Sequence, residues 1–300
     1  MITPPSLKPG DAVGIVSTAR KITTAQLKPL LDLLEEWKLQ PVLGMTINAS
    51  DDQYAGTDEL RAKDMQQMLD NPNIKCIWCA RGGYGTVRII DRLDFSSFLK
   101  QPKWLVGYSD VTVLHSHLHR LGVASVHANM ANNIDTKTAE TRNTVEKALF
   151  GIPYSIRHTP SQAPPSSRTG RVKGQLVGGN LSILYSLCGS PTSLDTDGKI
   201  LFIEDLDEYL YHVDRMMMNI KRNGMLDNLK ALVVGGMSSM NDNTIPFGKT
   251  AEEIVWDAVK DFHYPVCFGF PAGHISDNRA MILGSEVRLQ IESDLTLMEF

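Results

Sequence analysis

The run Trp104-Leu105-Val106-Gly107-Tyr108-Ser109-Asp110 concentrates more chemistry than any other stretch of this chain. An apolar strand ends there in Gly-x-Ser, and a helical pattern begins at once. A serine on such a strand-to-helix turn stands clear of the backbone at the carboxyl end of its strand, beside the first N–H groups of the helix. That geometry suits a nucleophile and the oxyanion it generates. The usual elbow has a second glycine two residues after the serine, where Val111 stands here. Serine and aspartate are also common N-caps, so capping is the competing use of Ser109 and Asp110.

A serine hydroxyl is a weak nucleophile until a base takes its proton, and the base needs an orienting partner. Of the eight histidines, His115, His117 and His119 crowd one helix and read as surface or packing residues. His274 differs, because it lies in a glycine- and proline-rich loop, Gly269 to Asn278, just after a short strand. Loops at strand ends present catalytic groups; a local bond to Asp277 is the alternative. The run Ile200-Leu201-Phe202-Ile203 ends in Glu204-Asp205. A carboxylate there either fixes a histidine tautomer or opens a solvated loop. Arg81-Gly82-Gly83-Tyr84-Gly85 ends another strand, and its unhindered N–H groups suit either a phosphate or an oxyanion. Neither G-x-x-x-x-G-K-[ST] nor G-x-G-x-x-G occurs, which weighs against a nucleotide. Gly178-Gly179 and Gly235-Gly236 read as tight turns. Cys76 and Cys79 form a C-x-x-C within Ile74–Ala80, read as a buried strand that sends them to opposite faces. No partner motif completes a metal site.

These residues need elements to hold them. Strands are expected at Ala12–Ser17, Pro41–Thr46, Ile74–Ala80 and Trp104–Tyr108. Helical spacing links them: Leu27, Leu30, Leu31, Leu34 and Trp37, then a helix capped by Thr57, another after Gly85, and a stripe of Val111, Leu114 and Leu118. Strands apolar on both faces, alternating with helices, give a parallel sheet that binds ligands at its carboxyl edge. The pattern fades from about residue 136, and the Pro-, Ser- and Thr-rich run at 158–170 reads as a linker. The second half is mixed α and β, with strands at Val172–Val177, Ile200–Glu204, Ala231–Val234 and Val266–Phe268 and two β segments within Met281–Ile291.

Composition sets the outer bounds. Of 300 residues, 42% are hydrophobic and 21% charged, a globular balance that excludes disorder, collagen and coiled coil. A net charge of −4, with both signs interspersed, leaves no footprint for nucleic acid. No apolar run reaches the ~18 residues of a membrane span. Two prolines interrupt the start, where a signal peptide would need its apolar core, and free cysteines fit a cytoplasmic setting.

Taken in order, Trp78 to Gly85, Gly107 to Asp110, Gly178 to Ser182, Glu204-Asp205, Val213 to Arg215 and Gly273-His274 resemble the LD-carboxypeptidase family of serine peptidases, over nearly the whole chain. The resemblance implies an N-terminal flavodoxin-like parallel-sheet domain with the nucleophile (1–135), a linker (136–170) and a C-terminal mixed α/β domain (171–300). It implies a triad of Ser109, His274 as base and Glu204 as its orienting acid. The oxyanion donors would be the amides of Asp110 and Gly83. It also implies homodimers, no metal and no cofactor. The implied reaction removes terminal D-alanine from murein tetrapeptides in cell-wall recycling. The related microcin C self-immunity branch and a non-catalytic murein-peptide-binding protein are the alternatives. A carboxypeptidase must bind a free α-carboxylate, and Arg81 is the expected cation. At His127-Ala128-Asn129-Met130 the chain departs from the His-Gly-Pro-Met that many members carry.

Overall fold

The computed structural model describes residues 1–159 and 167–300, so most of the Pro- and Ser-rich run lies outside the described residues. In the first half β1 (Ala12–Val16), α1 (Thr24–Glu36), β2 (Gln40–Leu43), α2 (Asp58–Asp70), β3 (Ile74–Cys79), α3 (Ser96–Lys100), β4 (Trp104–Gly107), α4 (Thr112–Arg120), β5 (Ser125–His127) and α5 (Ala139–Phe150) follow one another. The second half runs β6 (Ser155–His158), β7 (Gly170–Asn180), α6 (Leu181–Ser186), β8 (Ile200–Leu206), α7 (Leu210–Arg222), β9 (Ala231–Ser238), α8 (Ala251–Val259), β10 (Val266–Cys267), β11 (Met281–Leu283), β12 (Glu286–Ile291) and β13 (Thr296–Glu299). Local chemistry starts the helices. Thr23 caps α1 in a reciprocal box with Gln26, and Thr57 caps α2, whose first turn holds Asp58 and Glu59.

The first sheet has the order β11-β5-β4-β3-β1-β2, all parallel except β11. Its five N-terminal strands thus run 2-1-3-4-5, the flavodoxin order, in which connections diverge between β1 and β3 and open a crevice at their carboxyl ends. The second sheet, β10-β9-β8-β7-β12-β13-β6, is parallel from β10 to β7 and antiparallel beyond. The fold is α/β with two domains, as expected.

One shared core joins the two sheets. Val13, Ile15, Trp78 and Val106 of the first sheet cluster with Leu176, Ile200, Phe202 and Val233 of the second, and with α1 and α5. The opposite faces have cores of their own, with α2 to α4 over the first sheet and α6 to α8 over the second. Strand β11 crosses between domains and pairs with β5 through Met281 opposite His127.

Several local expectations change. After Gly85 the chain makes two short 3-10 turns, Thr86–Arg88 and Ile90–Arg92, instead of a helix. Adjacent Ile89 and Ile90 are both buried there. Both glycine pairs lie inside strands and not in turns. A Cβ on Gly178 would meet the carbonyl oxygen of Phe202 at 1.9 Å, and one on Gly235 that of Ala272 at 2.5 Å, so close backbone approach is what requires glycine. The interval 136–170 carries α5 and β6 besides connecting chain, because Val145, Ala148, Leu149 and Ile156 are apolar at spacings that bury them.

Candidate active site

Strand β4 ends at Gly107, where a Cβ would meet the Val111 side chain at 2.8 Å. Glycine here lets the chain fold back on itself, and Val111 fills the space that the second glycine of an elbow would leave. Tyr108 is extended, and Ser109 has φ +62°, a left-handed conformation costly for a residue with a side chain. A short 3-10 turn then leads into α4. Ser109 faces a cavity of about 520 Å³ that Gly82, Gly83, Asp110, Arg81 and His274 also line. This cavity opens where the first sheet's strand order reverses, between the loops after β1 and β3.

His274 reaches the cavity from the second domain. Its Nδ1 lies 2.7 Å from Oε2 of Glu204, and its backbone N–H donates to the same oxygen at 3.0 Å. An ionised carboxylate can only accept, so Nδ1 carries a proton, and in the neutral imidazole the lone pair is then on Nε2. The ring of Tyr108 packs on that of His274 with centroids 4.7 Å apart. Glu204 is fully buried behind the histidine. Burial pushes its carboxyl up, but the charge and hydrogen bonds of His274 prevail and hold it below its ordinary value. Strand alternation picks Glu204 from the Glu-Asp pair: Ile200 and Phe202 join the shared core, Leu201 and Ile203 the outer one, and Glu204 continues the first set. Gly273 has φ +103°, and a Cβ there would lie 2.5 Å from Oε2 of Glu204, so the loop needs glycine to approach.

Hydrogen bonds across the domain boundary fix this arrangement. Thr112 Oγ1, one turn after Ser109, accepts from the N–H of Asn180 at 3.0 Å, and Asn180 Nδ2 donates to Asp205 at 2.9 Å and Glu204 at 3.4 Å. On the other side Asn278 accepts from Gly273 N–H at 2.7 Å and donates to Asn129, whose carbonyl takes the indole N–H of Trp78. Asp205 accepts further from Ser182 N–H. Burial and the adjacent Glu204 charge push Asp205 up to about 7.

The profile of the LD-carboxypeptidase N-terminal domain matches residues 13–128, and that of the C-terminal domain matches residues 173–289. The chain belongs to the LD-carboxypeptidase family. The probable murein peptide carboxypeptidase of Bacillus subtilis is 32% identical over 305 residues, covering 99% of this chain and 94% of the relative. The solved muramoyltetrapeptide carboxypeptidase of Oxalobacter formigenes superposes with a TM-score of 0.87 at 26% identity, covering 96% of this chain and 98% of the other. The microcin C7 self-immunity protein of Escherichia coli, in complex with aspartyl sulfamoyl adenosine, shares the fold with a TM-score of 0.88 at 20% identity, covering 100% of this chain and 99% of the other.

Within this LD-carboxypeptidase fold the residues singled out by sequence divide clearly. Ser109, His274, Gly83, Asp110 and Arg81 meet on one cavity, and Glu204 backs it. Arg81 Nη1 also donates to the carbonyl of Lys21 at 2.9 Å. Arg20, which sequence reasoning missed, stands on the same wall, opposite Asp205, Asp207 and Glu208. The cavity is therefore cationic on the first domain's side and acidic on the second's. Asn180 and Asn278 were missed as well, although Gly-Gly-Asn and Gly-His…Asn flank the site residues in sequence. The remaining histidines lie off the cavity. His115 is buried between Ser125 Oγ at 2.8 Å and the carbonyl of Gly107 at 2.9 Å, and burial pushes it down to about 3. Cys76 joins the shared core and Cys79 the outer one, on opposite faces as strand alternation requires; both thiols are pushed up by burial. Among the described residues no group of three or more His, Cys, Asp or Glu could hold a metal ion.

Proposed function

We propose that this member of a peptidase family is a serine carboxypeptidase that removes terminal D-alanine from murein tetrapeptides. His274 Nε2 takes the proton of Ser109 as Oγ attacks the carbonyl carbon of the scissile bond. The amides of Asp110 and Gly83 receive the oxyanion. His274 then protonates the leaving amine of D-alanine, and water resolves the acyl-enzyme by the same route. Glu204 holds the tautomer and stabilises the imidazolium. Arg81 receives the terminal carboxylate, which needs a cation in the wall nearest Ser109. The observation that carries this reading is the 2.7 Å bond of His274 Nδ1 to buried Glu204, on the cavity that holds left-handed Ser109. The names of the relatives support the substrate class. On this reading the protein acts in the cytoplasm, in cell-wall recycling, as a homodimer.

The test is an assay of D-alanine release from a murein tetrapeptide, with aspartyl sulfamoyl adenosine offered in parallel. Ser109→Ala and His274→Ala should each lower kcat about 10³- to 10⁶-fold while the fold persists, because residues acting as a unit fail together. Near-normal turnover in Ser109→Ala ends the serine mechanism. Cleavage confined to the nucleotide conjugate ends the murein assignment.

A further inference from the structure

A buried polar cluster beneath the glycine loop has no part in the chemistry above. The carboxylate of Asp110, 1% exposed, accepts at Oδ2 from the backbone N–H of Thr86 at 2.9 Å and from Thr86 Oγ1 at 2.6 Å. Thr86 Oγ1 has spent its one proton on that carboxylate. The hydroxyl of Thr18, 2.8 Å away, is therefore the donor of the bond between the two threonines. Arg61, also 1% exposed, donates from Nη1 to the carbonyls of Thr18 at 2.6 Å and Gly85 at 2.9 Å, and pairs with Asp58. Gly85 has φ +151°, and a Cβ there would meet Arg61 Nη1 at 2.8 Å. Both the carboxylate and the guanidinium thus grip the end of one short segment.

That segment is flexible by composition. Gly82, Gly83 and Gly85 give it access to backbone conformations that other residues avoid, and nothing in their own side chains selects one. An oxyanion donor works only within about 2.7–3.1 Å of the position the oxygen will take. Burying a carboxyl and a guanidinium costs several kcal/mol per group unless each is well bonded, and burial pushes the Asp110 carboxyl above its ordinary value although its Oδ2 accepts twice from Thr86. A site needing stability alone would be served as well by apolar packing. Here the bonds run from the residue directly after Ser109 to the loop facing it.

We propose that the Asp110 carboxylate, Thr86, Thr18 and Arg61 form a strap that positions the Gly83 amide against the Ser109–Asp110 turn. They are positioning residues: they touch no reacting atom and act through the loop. This inference rests on the serine reading of the preceding section, and deepens it by naming what fixes the oxyanion hole.

The experiment compares Thr86→Val with Thr86→Ser. Valine keeps the shape and the backbone N–H but deletes the hydroxyl; serine restores it. With a synthetic murein tetrapeptide, Thr86→Val should lower kcat roughly 10- to 100-fold, short of the loss of a whole oxyanion donor, with KM within about 3-fold. Affinity for a boronic-acid mimic of the tetrahedral intermediate should fall in parallel with kcat/KM. Thr86→Ser should recover most of both. Thr18→Val, one bond further out, should move both in the same direction by less, and gives a readout if Thr86→Val fails to fold. Wild-type kcat and mimic affinity in folded Thr86→Val or Thr18→Val overturn the strap. So does a loss that only follows the unfolded fraction. Ser109→Ala run alongside separates the two failures: if it is inactive while Thr86→Val is normal, only the strap falls; if it is active, the serine reading falls first.

Discussion

Ser109 has a side chain where the backbone favours none. Its φ of +62° falls at the first residue of the 3-10 turn Ser109–Val111, two residues after the Gly107 on which β4 ends. For a residue with a Cβ the left-handed region costs roughly 1–2 kcal/mol. Function and stability therefore pull apart at this position. Ser109→Gly should be inactive yet more stable than Ser109→Ala by about 1 kcal/mol, read as a higher urea midpoint. Equal midpoints would mean that the turn holds no strain. Ser109, the Glu204-Asp205 pair and His274 stood out as candidates because each ends or follows a recognisable strand, while their roles came only from the family resemblance. Arg20 did not stand out, because nothing in its neighbourhood marks which surface arginine will line a cavity.

At the scale of elements, the site is the place where the loops after β1, β3, β4 and β5 of the first sheet meet the ends of β7 and β8 and the His274 loop of the second. The flavodoxin strand order leaves a crevice at the carboxyl ends of β1 and β3. Arg20 and Arg81 to Gly83 lie there because their strands end there. The strands β1, β3 and β4 were readable from their apolar runs, whereas β2, expected at Pro41–Thr46, is Gln40–Leu43 and exposed throughout because it forms the edge of its sheet. Strand β5 has only three residues and β6 a single buried apolar one, Ile156, so neither gives a periodic signal, and the role of β11 as a partner of β5 depends on a pairing far along the chain. Elements that pair at a distance must also be held there. The bond from Asn180 N–H to Thr112 Oγ1 is one such tie, and Gly179 lets it form, since a Cβ there would lie 2.5 Å from that oxygen. Thr112→Val leaves a buried N–H without its acceptor and should cost about 1–3 kcal/mol. Thr112→Ser should recover most of this. Calorimetric melting of the two variants checks it, and indistinguishable melting temperatures would show that the tie adds nothing.

For the molecule as a whole, the shared core between the sheets explains why separate sequence segments act as one body, and it buries groups that water would otherwise charge. His127 is fully buried among Tyr108, Phe202 and His115, with no hydrogen-bond partner for either ring nitrogen among the described residues. Burial pushes it down to about 4; the Glu204 charge favours its protonation and that of His274 opposes it. His115 goes down to about 3. Unfolded, both take a proton near the ordinary histidine value of about 6.5. Between there and about 4 the unfolded chain binds protons the folded one refuses, so stability is full above that window and falls as pH drops through it. Each ring contributes on the order of 3 kcal/mol to that fall. Asp205, pushed up to about 7, works the other way in the same window, so the check is differential: urea midpoints between pH 7.5 and 4.5 should decline less in His127→Leu than in the wild type. Parallel slopes in the two proteins would remove His127 from the account.

The amino-acid sequence by itself determined most of the strands, the Thr57 helix cap and the placing of a serine at a strand-to-helix turn, all of which follow from periodicity and from a few neighbouring residues. The expected acid and base came from the family resemblance and not from any local pattern. Only the tertiary structure decided which of two adjacent acids faces the histidine, which glycines tolerate a carbonyl or a threonine against them, and which asparagines join the halves. Those outcomes depend on distances between atoms remote along the chain. Such distances are set by how two sheets share one core, and no local pattern of side chains carries that information.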